Sequence, residues 1–382
     1  MVTFILKMTD ACNLRCKYCC IGEKETNIIT KENLNIILRC ICEFSIDRNI
    51  KDISIIFHGG EPLLINSEIY DLVLEKIIEE YKTLNINFKL QTNGTLITDK
   101  FIKLFKKYNF SIGVSIDGSK KIHDNQRIKI NGEGSFDDIV NNLYKLKQNS
   151  IPTAALMVQT AIVDINDYKF LDWFNENDIP IKINPLINCG EACKNDYMYL
   201  KKRQYSQFLI GIYKYSLKNN FKISIQPIEE IVYSLISDKN NCECTFSKKC
   251  CSNFLCLDFN GDVYPCGRFS DSKTMLLGNI FNKKLSDIYN SEIRIKLSDR
   301  KLNNLPESCN KCKFKKFCNG GCLAEAQIDG SAFDKTSLCY DYQKFFKYFY
   351  SEGVLSLEEY LKERRKALMD LKIKNLEVKN GV

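Results

Sequence analysis

Cysteine is the residue type in which the chemistry of this chain is concentrated. The 382 residues include 19 Cys but only 2 His and 1 Trp. Most of the cysteines fall into three groups, and many of the gaps inside a group are only two or three residues long. Such short gaps are typical of metal ligation, because neighbouring thiolates can reach one metal centre. The groups comprise Cys12, Cys16, Cys19 and Cys20; six cysteines from Cys242 to Cys266; and five from Cys309 to Cys339.

These cysteines are compatible with three kinds of site. Disulfide bonds are disfavoured, because the residues before Asp10 contain no signal-peptide core and we expect a cytoplasmic chain with reduced thiols. Zinc is the next alternative, since Cys309-x2-Cys312 and Cys318-x3-Cys322 resemble zinc knuckles, but no His lies near the first group. Iron–sulfur clusters, which Cys thiolates hold in short runs, fit all three groups.

Composition and charge exclude several classes of protein. With 45% hydrophobic and 27% charged residues, the chain is globular rather than disordered or fibrous. Its net charge of +8 comes from basic and acidic residues that interleave along the chain, so we expect no nucleic-acid partner. No stretch reaches the roughly 18 consecutive apolar residues of a membrane span, so we expect no membrane partner.

The elements that position the cysteines are predicted from the hydrophobic pattern. Between residues 3 and 230, short β-branched or apolar runs alternate with stretches of helical period, which is typical of βα units and a parallel sheet. The first cysteine group and three Gly-containing loops follow predicted strands, where an α/β barrel carries its functional loops. The predicted strands are 3–8, 53–57, 87–91, 110–116, 154–160 and 180–185, and the predicted helices are 31–44, 67–82, 98–107, 136–148, 166–176 and 201–218.

We predict an α/β fold with three parts. Residues 1–234 form a partial (β/α)6 TIM-like barrel. In residues 235–345 the helical period fades and Cys, Gly, Asn and Lys dominate, which indicates a small domain held together by metal rather than by a large apolar core. Helical period returns after residue 346, so residues 346–382 are predicted to form a capping helix and a tail.

The loop after the first predicted strand carries Cys12-Asn-Leu-Arg-Cys16-Lys-Tyr-Cys19, a C-x3-C-x2-C pattern. Three thiolates leave one iron of a 4Fe-4S cluster open. The motif resembles that of the radical S-adenosylmethionine (SAM) superfamily, in which SAM chelates the open iron. The resemblance implies that SAM is cleaved to methionine and a 5'-deoxyadenosyl radical, which abstracts a hydrogen atom from the substrate.

The same resemblance assigns a SAM-binding role to residues at the ends of later strands. Gly59-Gly60-Glu61-Pro62 matches the family's GGEP motif, which meets the SAM amino group. Ser115 and Arg127 stand where the family holds the SAM carboxylate, for which a guanidinium is a suitable partner. The implied SAM-binding residues are Tyr18, Gly59, Gly60, Glu61, Pro62, Asn93, Ser115, Arg127 and Leu186.

The later cysteines resemble a SPASM domain, the auxiliary-cluster module of peptide-modifying radical SAM enzymes. The resemblance rests on Gly261-x4-Cys266 and on the spacing from Cys309 to Cys339. It implies two further 4Fe-4S clusters, hence three in the chain. One would use Cys309, Cys312, Cys318 and Cys339; the other would use Cys266, Cys322 and two of Cys242, Cys244, Cys250, Cys251 and Cys256, of which we select Cys244 and Cys251, with Cys250 as substitute.

Two peptide-modifying reactions are compatible with this resemblance. The chain is similar to maturases of ribosomally made peptides, so we expect a precursor peptide as substrate and a thioether or carbon–carbon crosslink as product. It is also similar to anaerobic sulfatase-maturating enzymes, which oxidise Cys or Ser to formylglycine. That subfamily has an Asp directly after the Cys of G-x4-C, whereas this chain has Gly267, so formylglycine formation would need a displaced base. No catalytic base is identified from the sequence.

Three further expectations concern the electron donor, the recognition of the peptide and the alternative that the protein is not an enzyme. Lys311, Lys313, Lys315 and Lys316 crowd the segment from just before Cys312 to Cys318, so we expect an acidic flavodoxin or ferredoxin as reductant. No leader-binding domain is expected before the first strand, which starts at residue 3. A non-enzymatic alternative is an electron-transfer or zinc-binding scaffold with a vestigial barrel.

Overall fold

A computed structural model describes residues 2–22, 26–237, 242 and 244–351. Most of its strands belong to one ten-stranded sheet, and two short strands form a separate antiparallel pair. The strands are β1 Val2–Lys7, β2 Leu14–Cys16, β3 Asp52–His58, β4 Asn85–Thr92, β5 Ser111–Ser115, β6 Arg127–Lys129, β7 Thr153–Gln159, β8 Ile181–Pro185, β9 Ile225–Gln226, β10 Phe254–Asp258, β11 Asp262–Tyr264 and β12 Gly278–Asn279.

The α-helices fall into two size classes. Those between the barrel strands are mostly long, whereas many in the cysteine-rich segment span only four or five residues. The helices are α1 Lys31–Asp47, α2 Ser67–Glu80, α3 Asp99–Lys107, α4 Lys120–Gln126, α5 Phe136–Gln148, α6 Phe170–Glu176, α7 Gln204–Lys218, α8 Ile228–Ser237, α9 Cys250–Asn253, α10 Gly267–Asp271, α11 Leu285–Tyr289, α12 Glu292–Leu302, α13 Glu307–Asn310, α14 Lys315–Cys318, α15 Leu323–Asp329 and α16 Cys339–Ser351.

The sheet has the order β12-β11-β10-β1-β3-β4-β5-β7-β8-β9. All pairs from β10 to β9 are parallel, and β11 and β12 continue the sheet antiparallel at one edge. The six predicted strands are β1, β3, β4, β5, β7 and β8, which are neighbours in chain order. The two end strands do not pair with each other, so the sheet is an open barrel, and the predicted α/β fold class is confirmed.

Helix α1 shows why the sequence folds this way locally. Thr30 caps its start by accepting a hydrogen bond from the Asn33 backbone N–H at 3.1 Å. Apolar residues at three- and four-residue spacing, including Leu34, Leu38 and Ile41, are buried and join the strand residues in one core. The polar face of the helix is left toward solvent.

Two features of the strand pairing were not predicted. Strands β2 and β6, of three residues each, pair with each other and place Cys16 opposite Arg127. Strand β10 lies in the predicted cysteine-rich domain, yet it pairs in parallel with β1, with Thr3 opposite Phe254. The barrel and the cysteine-rich segment therefore share one sheet.

The C-terminal part of the chain begins its helix earlier than predicted. Helix α16 starts at Cys339, before the expected boundary at residue 346, and the remainder of the predicted capping helix, residues 352–382, lies outside the described residues. In the part of the chain that the structure describes, no helix has the length and hydropathy needed to cross a membrane.

Candidate active site

A cavity of about 260 Å³ opens at the carboxyl ends of the barrel strands. The loop between β1 and β2 contributes Cys12, and the residues that follow contribute Cys16 and Cys19. All three thiols line this cavity. The fold therefore brings together the three cysteines whose spacing predicted a cluster with one open iron.

Hydrogen bonds hold the cysteine loop in place. The Cys19 backbone N–H donates to the Cys16 carbonyl at 3.1 Å, which closes a turn between the two thiols. The Asn93 side-chain amide lies 3.8 Å from Cys12 Sγ and donates to Asn13 at 2.8 Å. Asn93 thus supports the loop from the end of β4.

Gly59 and Gly60 join the end of β3 to this loop. The Gly60 N–H donates to the Thr9 carbonyl at 2.7 Å. A Cβ at Gly60 would lie 2.0 Å from the Ala11 carbonyl oxygen, and Gly59 has a φ of 126°. Only glycine permits this approach and this backbone conformation, so the Gly-Gly pair is needed to build the cavity wall.

Glu61 and Pro62 are the two predicted SAM-binding residues that do not line the cavity. Glu61 is fully buried, and its carboxylate accepts hydrogen bonds from Leu63 N–H at 3.0 Å, Thr92 Oγ1 at 2.7 Å and Asn93 N–H at 2.7 Å. Pro62 begins a short 3-10 turn. The side chain of Glu61 therefore ties the ends of β3 and β4 together, which differs from the predicted contact with SAM.

We expect Glu61 to make stability pH-dependent. Burial raises the pKa of Glu61 from 4.5 to about 7, although its hydrogen bonds act in the opposite direction. The folded chain binds this proton more tightly than the unfolded chain, so stability falls by about 3 kcal/mol as pH rises from below 4.5 to above 7. Urea unfolding across this range should show that fall in the wild type and a flatter curve in Glu61→Gln. The exposed control Glu79→Gln should follow the wild type, and parallel curves for wild type and Glu61→Gln would contradict the assignment.

Arg127 lines the cavity and forms a buried ion pair with Asp117. Its Nε donates to Asp117 Oδ2 at 2.9 Å, and Asp117 Oδ1 accepts from the Val158 N–H at 3.0 Å. The Tyr18 hydroxyl also donates to Asp117, and the Arg127 guanidinium lies 5.2 Å from the centre of the Tyr18 ring. Asp117 thus orients both Arg127 and Tyr18, a role that sequence reasoning missed.

The remaining predicted SAM-binding residues also border the cavity. Ser115 Oγ accepts a hydrogen bond from the Gln91 side chain at 3.0 Å. Leu186 packs with Tyr18 in a small apolar cluster at the end of β8. Seven of the nine predicted residues therefore meet around one space: Tyr18, Gly59, Gly60, Asn93, Ser115, Arg127 and Leu186.

A second cavity of about 300 Å³ lies against the first and is also rich in cysteine. Cys242 and Cys256, two of the open candidates, do not line it; Cys256 is fully buried and Cys242 lies beside Ser234. Cys250 and Cys251 both line it, with their sulfurs 3.7 Å apart. Its cysteines are Cys244, Cys250, Cys251, Cys266 and Cys322, which include the four that we selected.

The second cavity has the electrostatics of a cation site. Burial, with Cys322 nearby, raises the pKa of Cys266 to about 12, and burial, with Glu325 nearby, raises that of Cys322 to about 11. Several buried thiolates in one place are costly unless a positive centre lies between them. Arg268 partly supplies this charge, because its guanidinium contacts Cys322 Sγ at 3.4 Å and Glu325 at 2.6 Å. An iron–sulfur cluster fits this donor set.

The last four predicted ligands surround a third, smaller cavity. It measures about 50 Å³ and lies between α13, α14 and the start of α16. The Gln343 side chain donates toward Cys339 Sγ at 3.6 Å and Cys312 Sγ at 3.9 Å. Among the described residues, no three Cys, His, Asp or Glu side chains converge closely enough to hold a single metal ion. The thiols that line this cavity are Cys309, Cys312, Cys318 and Cys339.

The wall shared by the first two cavities contains polar residues that sequence reasoning did not assign. Lys7, His58, Arg268 and Asp271 line both cavities. Lys7 Nζ donates to Asp271 at 2.5 Å and lies 3.4 Å from His58 Nδ1. Burial, helped by Lys7, lowers the pKa of His58 to about 3, so the imidazole is neutral. These residues are far apart in sequence. The one sequence feature that could have indicated their role is Lys7, a charged residue at the end of an otherwise largely apolar strand.

Two family models match the chain. Residues 6–172 match the Radical SAM superfamily, and residues 249–313 match SPASM, described as an iron–sulfur cluster-binding domain. The first match contains the loop of Cys12, Cys16 and Cys19. The second contains Cys266 and extends to the beginning of the third cavity.

The chain is similar to several curated proteins and solved structures over most of its length. The chain is 27% identical over 353 residues to the cysteine-type anaerobic sulfatase-maturating enzyme of Clostridium novyi, covering 88% of this chain and 91% of that protein. It is 27% identical over 368 residues to the serine-type enzyme of Bacteroides thetaiotaomicron, covering 88% and 86%. Native anSMEcpe with bound AdoMet (SAM) and the Kp18Cys peptide aligns with a TM-score of 0.80 at 25% identity, covering 94% and 99%.

A more distant likeness extends to another peptide-bound structure. Streptococcus suis SuiB bound to its precursor peptide SuiA aligns with a TM-score of 0.64 at 18% identity, covering 88% of this chain and 75% of that one. At this identity the likeness concerns the fold alone.

Proposed function

Because the chain is a radical SAM enzyme with an iron–sulfur cluster-binding SPASM domain, we propose that it oxidises a cysteine or serine side chain of a peptide to formylglycine. The observation that carries the proposal is the shared wall of two cysteine-lined cavities, one at the barrel mouth and one beside it. The likeness to sulfatase-maturating enzymes over most of both chains supports this reaction. It was the alternative in the sequence analysis, and we now propose it ahead of crosslinking because of this likeness.

The proposed cofactors are SAM and three 4Fe-4S clusters. When bound, SAM and the cluster at the first cavity supply a radical that abstracts hydrogen. Arg127 and Ser115 offer donors for the SAM carboxylate, and Leu186 with Tyr18 offers an apolar surface for the adenine. The proposed ligand sets are Cys12, Cys16 and Cys19; Cys244, Cys251, Cys266 and Cys322, with Cys250 as substitute for Cys251; and Cys309, Cys312, Cys318 and Cys339.

Crosslinking is the second candidate function. It is favoured by Gly267, because the sulfatase-maturating enzymes that the chain resembles have an Asp directly after the Cys of G-x4-C and this chain does not. In this reaction a precursor peptide would acquire a thioether or carbon–carbon bond. Both candidates take hydrogen from a peptide residue and need an acceptor for one electron.

The mass of the peptide product distinguishes the candidates. The reconstituted enzyme would be incubated without oxygen with SAM, dithionite and the Kp18Cys peptide. Formylglycine formation removes two hydrogen atoms and also exchanges the sulfur of the peptide Cys for oxygen, whereas a crosslink removes two hydrogen atoms and keeps the sulfur. Deoxyadenosine release with an unchanged peptide would contradict the proposed oxidation of this residue.

Arg127→Ala should weaken SAM binding. Loss of a charge-assisted hydrogen-bonded pair costs roughly 1.5 to 3 kcal/mol, which is about one to two decades in dissociation constant. Equilibrium binding of SAM to the reconstituted protein measures the change. Because Ala also leaves Asp117 unpaired, the double variant Asp117→Asn/Arg127→Gln is the control for folding and should lose affinity to the same extent. An unchanged affinity in both variants would place the SAM carboxylate elsewhere.

An acidic flavodoxin or ferredoxin is the proposed reductant, and a basic groove supports this partner. The groove, of about 950 Å³, lies between α7 and α16, and in the described part of the chain no carboxylate lines it. Gln343 and Phe314 line both this groove and the third cysteine cavity, so a docked partner would lie near that site. Its basic residues are Arg203, Lys214, Lys218, Lys313, Lys344 and Lys347.

Reversing Lys313, Lys315 and Lys316 to Glu should slow turnover that is driven by the protein reductant. Complementary charge speeds the encounter of two proteins, so the salt dependence should also flatten. Dithionite-driven turnover should stay intact. Of the three lysines, Lys313 lines the groove and Lys315 lines the third cysteine cavity. The control variant reverses Lys82, Lys103 and Lys106, which are exposed and line neither. Equal slowing with both reductants would assign these lysines to another role.

A further inference from the structure

Asp271 occupies the wall between the first two cavities. It is the last residue of α10, one helical turn after Gly267, and its side chain is 10% exposed. Among the described residues, it is the only carboxylate that lines either cavity. A peptide residue that reaches the radical at the first cavity while passing an electron toward the second would lie beside this carboxylate.

The partners of Asp271 keep its carboxylate ready to accept a proton. Lys7 donates to Oδ1 at 2.5 Å, and Cys20 Sγ donates to Oδ2 at 3.3 Å. Burial alone would raise the pKa of Asp271, but the electrostatic effects of Lys7 and His58, together with the hydrogen bonds that Lys7 and Cys20 donate, outweigh burial and hold this pKa below its usual range. The carboxylate is therefore ionised, and it is fixed between two donors.

The other polar groups of the shared wall are poorer acceptors. Lys7 is held protonated by Asp271. His58 Nδ1 already accepts a hydrogen bond from the Gly59 N–H at 2.7 Å, which occupies the one acceptor nitrogen of the neutral imidazole. Arg268 has no acceptor to offer. Asp271 is therefore the proton acceptor that we assign in this wall.

We propose that Asp271 is a catalytic residue that accepts the thiol proton of the peptide cysteine, an inference that rests on the proposed peptide oxidation. After hydrogen abstraction the peptide carries a carbon radical beside its thiol. The S–H bond breaks, a C=S double bond forms, the proton goes to Asp271, and one electron goes to an iron–sulfur cluster bound at the second cavity. Water then converts C=S to C=O and releases hydrogen sulfide.

A carboxylate whose pKa lies below the usual range is sufficient for this step. Once the electron leaves, the proton sits on a cationic thiocarbonyl group, which is strongly acidic. The same thiol proton must leave if the sulfur instead forms a thioether with a neighbouring residue. Asp271 therefore serves either candidate reaction that uses a cysteine.

A substitution at position 267 tests whether a carboxylate at a neighbouring position can replace that of Asp271. A Cβ at Gly267 would lie 3.6 Å from Ile5 Cδ1 and 3.7 Å from Lys7 Cε, which are ordinary contacts. An Asp there would reach Lys7 from one turn earlier on the same helix. Asp271→Asn/Gly267→Asp thus moves the carboxylate while keeping the ion pair possible.

The test uses reconstituted enzyme, SAM, dithionite and the Kp18Cys peptide. Asp271→Asn should still release deoxyadenosine. The amount of peptide product per deoxyadenosine should fall roughly 10²-fold or more, because a general base usually contributes at least this factor to the rate. Gly267→Asp in that background should restore product. Lys7→Met/Asp271→Asn, which removes both charges, should stay inactive. Product from Asp271→Asn within about threefold of the wild type, or recovery in the variant without either charge, would overturn the inference.

A binding measurement separates this inference from the proposed function. The wild type should bind Kp18Cys about tenfold more tightly than the same peptide with Ala for Cys, the range of a hydrogen bond to a charged group. Asp271→Asn should remove this difference, and its persistence would overturn the inference. If this difference appears but the wild type makes no product, the proposed function fails while the role of Asp271 as thiol-proton acceptor is supported.

Discussion

Replacing Cys12, Cys16 and Cys19 together by Ala should abolish SAM cleavage and remove about four iron atoms per chain, the content of one cubane cluster. The reason is geometric: these three thiols line the first cavity, and the other cysteine groups line different cavities. The remaining iron therefore stays bound. Iron analysis and deoxyadenosine release after anaerobic reconstitution measure the two effects.

The matched control replaces three cysteines outside the cavities. Cys40→Ala, Cys42→Ala and Cys193→Ala together should keep both the iron content and SAM cleavage, because none of these thiols lines any of the three cavities. Deoxyadenosine formation that persists in the Cys12, Cys16 and Cys19 variant would end the radical SAM assignment of this cavity.

Asp117→Ala should destabilise the folded chain by about 3 to 5 kcal/mol, the usual effect of leaving a buried charge without its partner. Asp117 is fully buried, and Arg127 is 7% exposed. The substitution also removes an acceptor from the Val158 N–H and from the Tyr18 hydroxyl. Urea unfolding of the reconstituted protein measures the change.

A double variant shows whether the unpaired charge is the cause. Asp117→Asn/Arg127→Gln removes both charges and keeps polar side chains at both positions, so its stability should lie between those of the wild type and Asp117→Ala. A double variant as unstable as Asp117→Ala would show that the lost hydrogen bonds, rather than the unpaired guanidinium, dominate.

The sequence was most informative where a pattern repeats along the chain. Strands such as 53–57 and helices such as 31–44 were predicted within a few residues, because apolar periodicity over that length is unambiguous. Strands β2 and β6 have three residues each, which is too short for a period to emerge. Strand β10 is short and lies within a cysteine-rich segment, so its pairing with β1 was not anticipated.

The candidate site was predictable in its ligands but less so in its supporting residues. Motifs located the cysteines and the Gly59-Gly60 turn, since their chemistry depends on local spacing. The same motif logic assigned Glu61 to SAM, which stays a prediction, but it did not anticipate the three hydrogen bonds that this carboxylate accepts within the fold. Lys7 and Asp271 are 264 residues apart, and only the folded sheet brings them together.

Deuterium transfer from the peptide to deoxyadenosine tests the proposed oxidation at its first step. The Kp18Cys peptide would be made with deuterium on the β-carbon of its Cys and incubated with reconstituted wild-type enzyme, SAM and dithionite. We predict that deoxyadenosine gains one deuterium for each peptide converted to the aldehyde. Deoxyadenosine without deuterium, or an aldehyde formed without deoxyadenosine, would contradict the account.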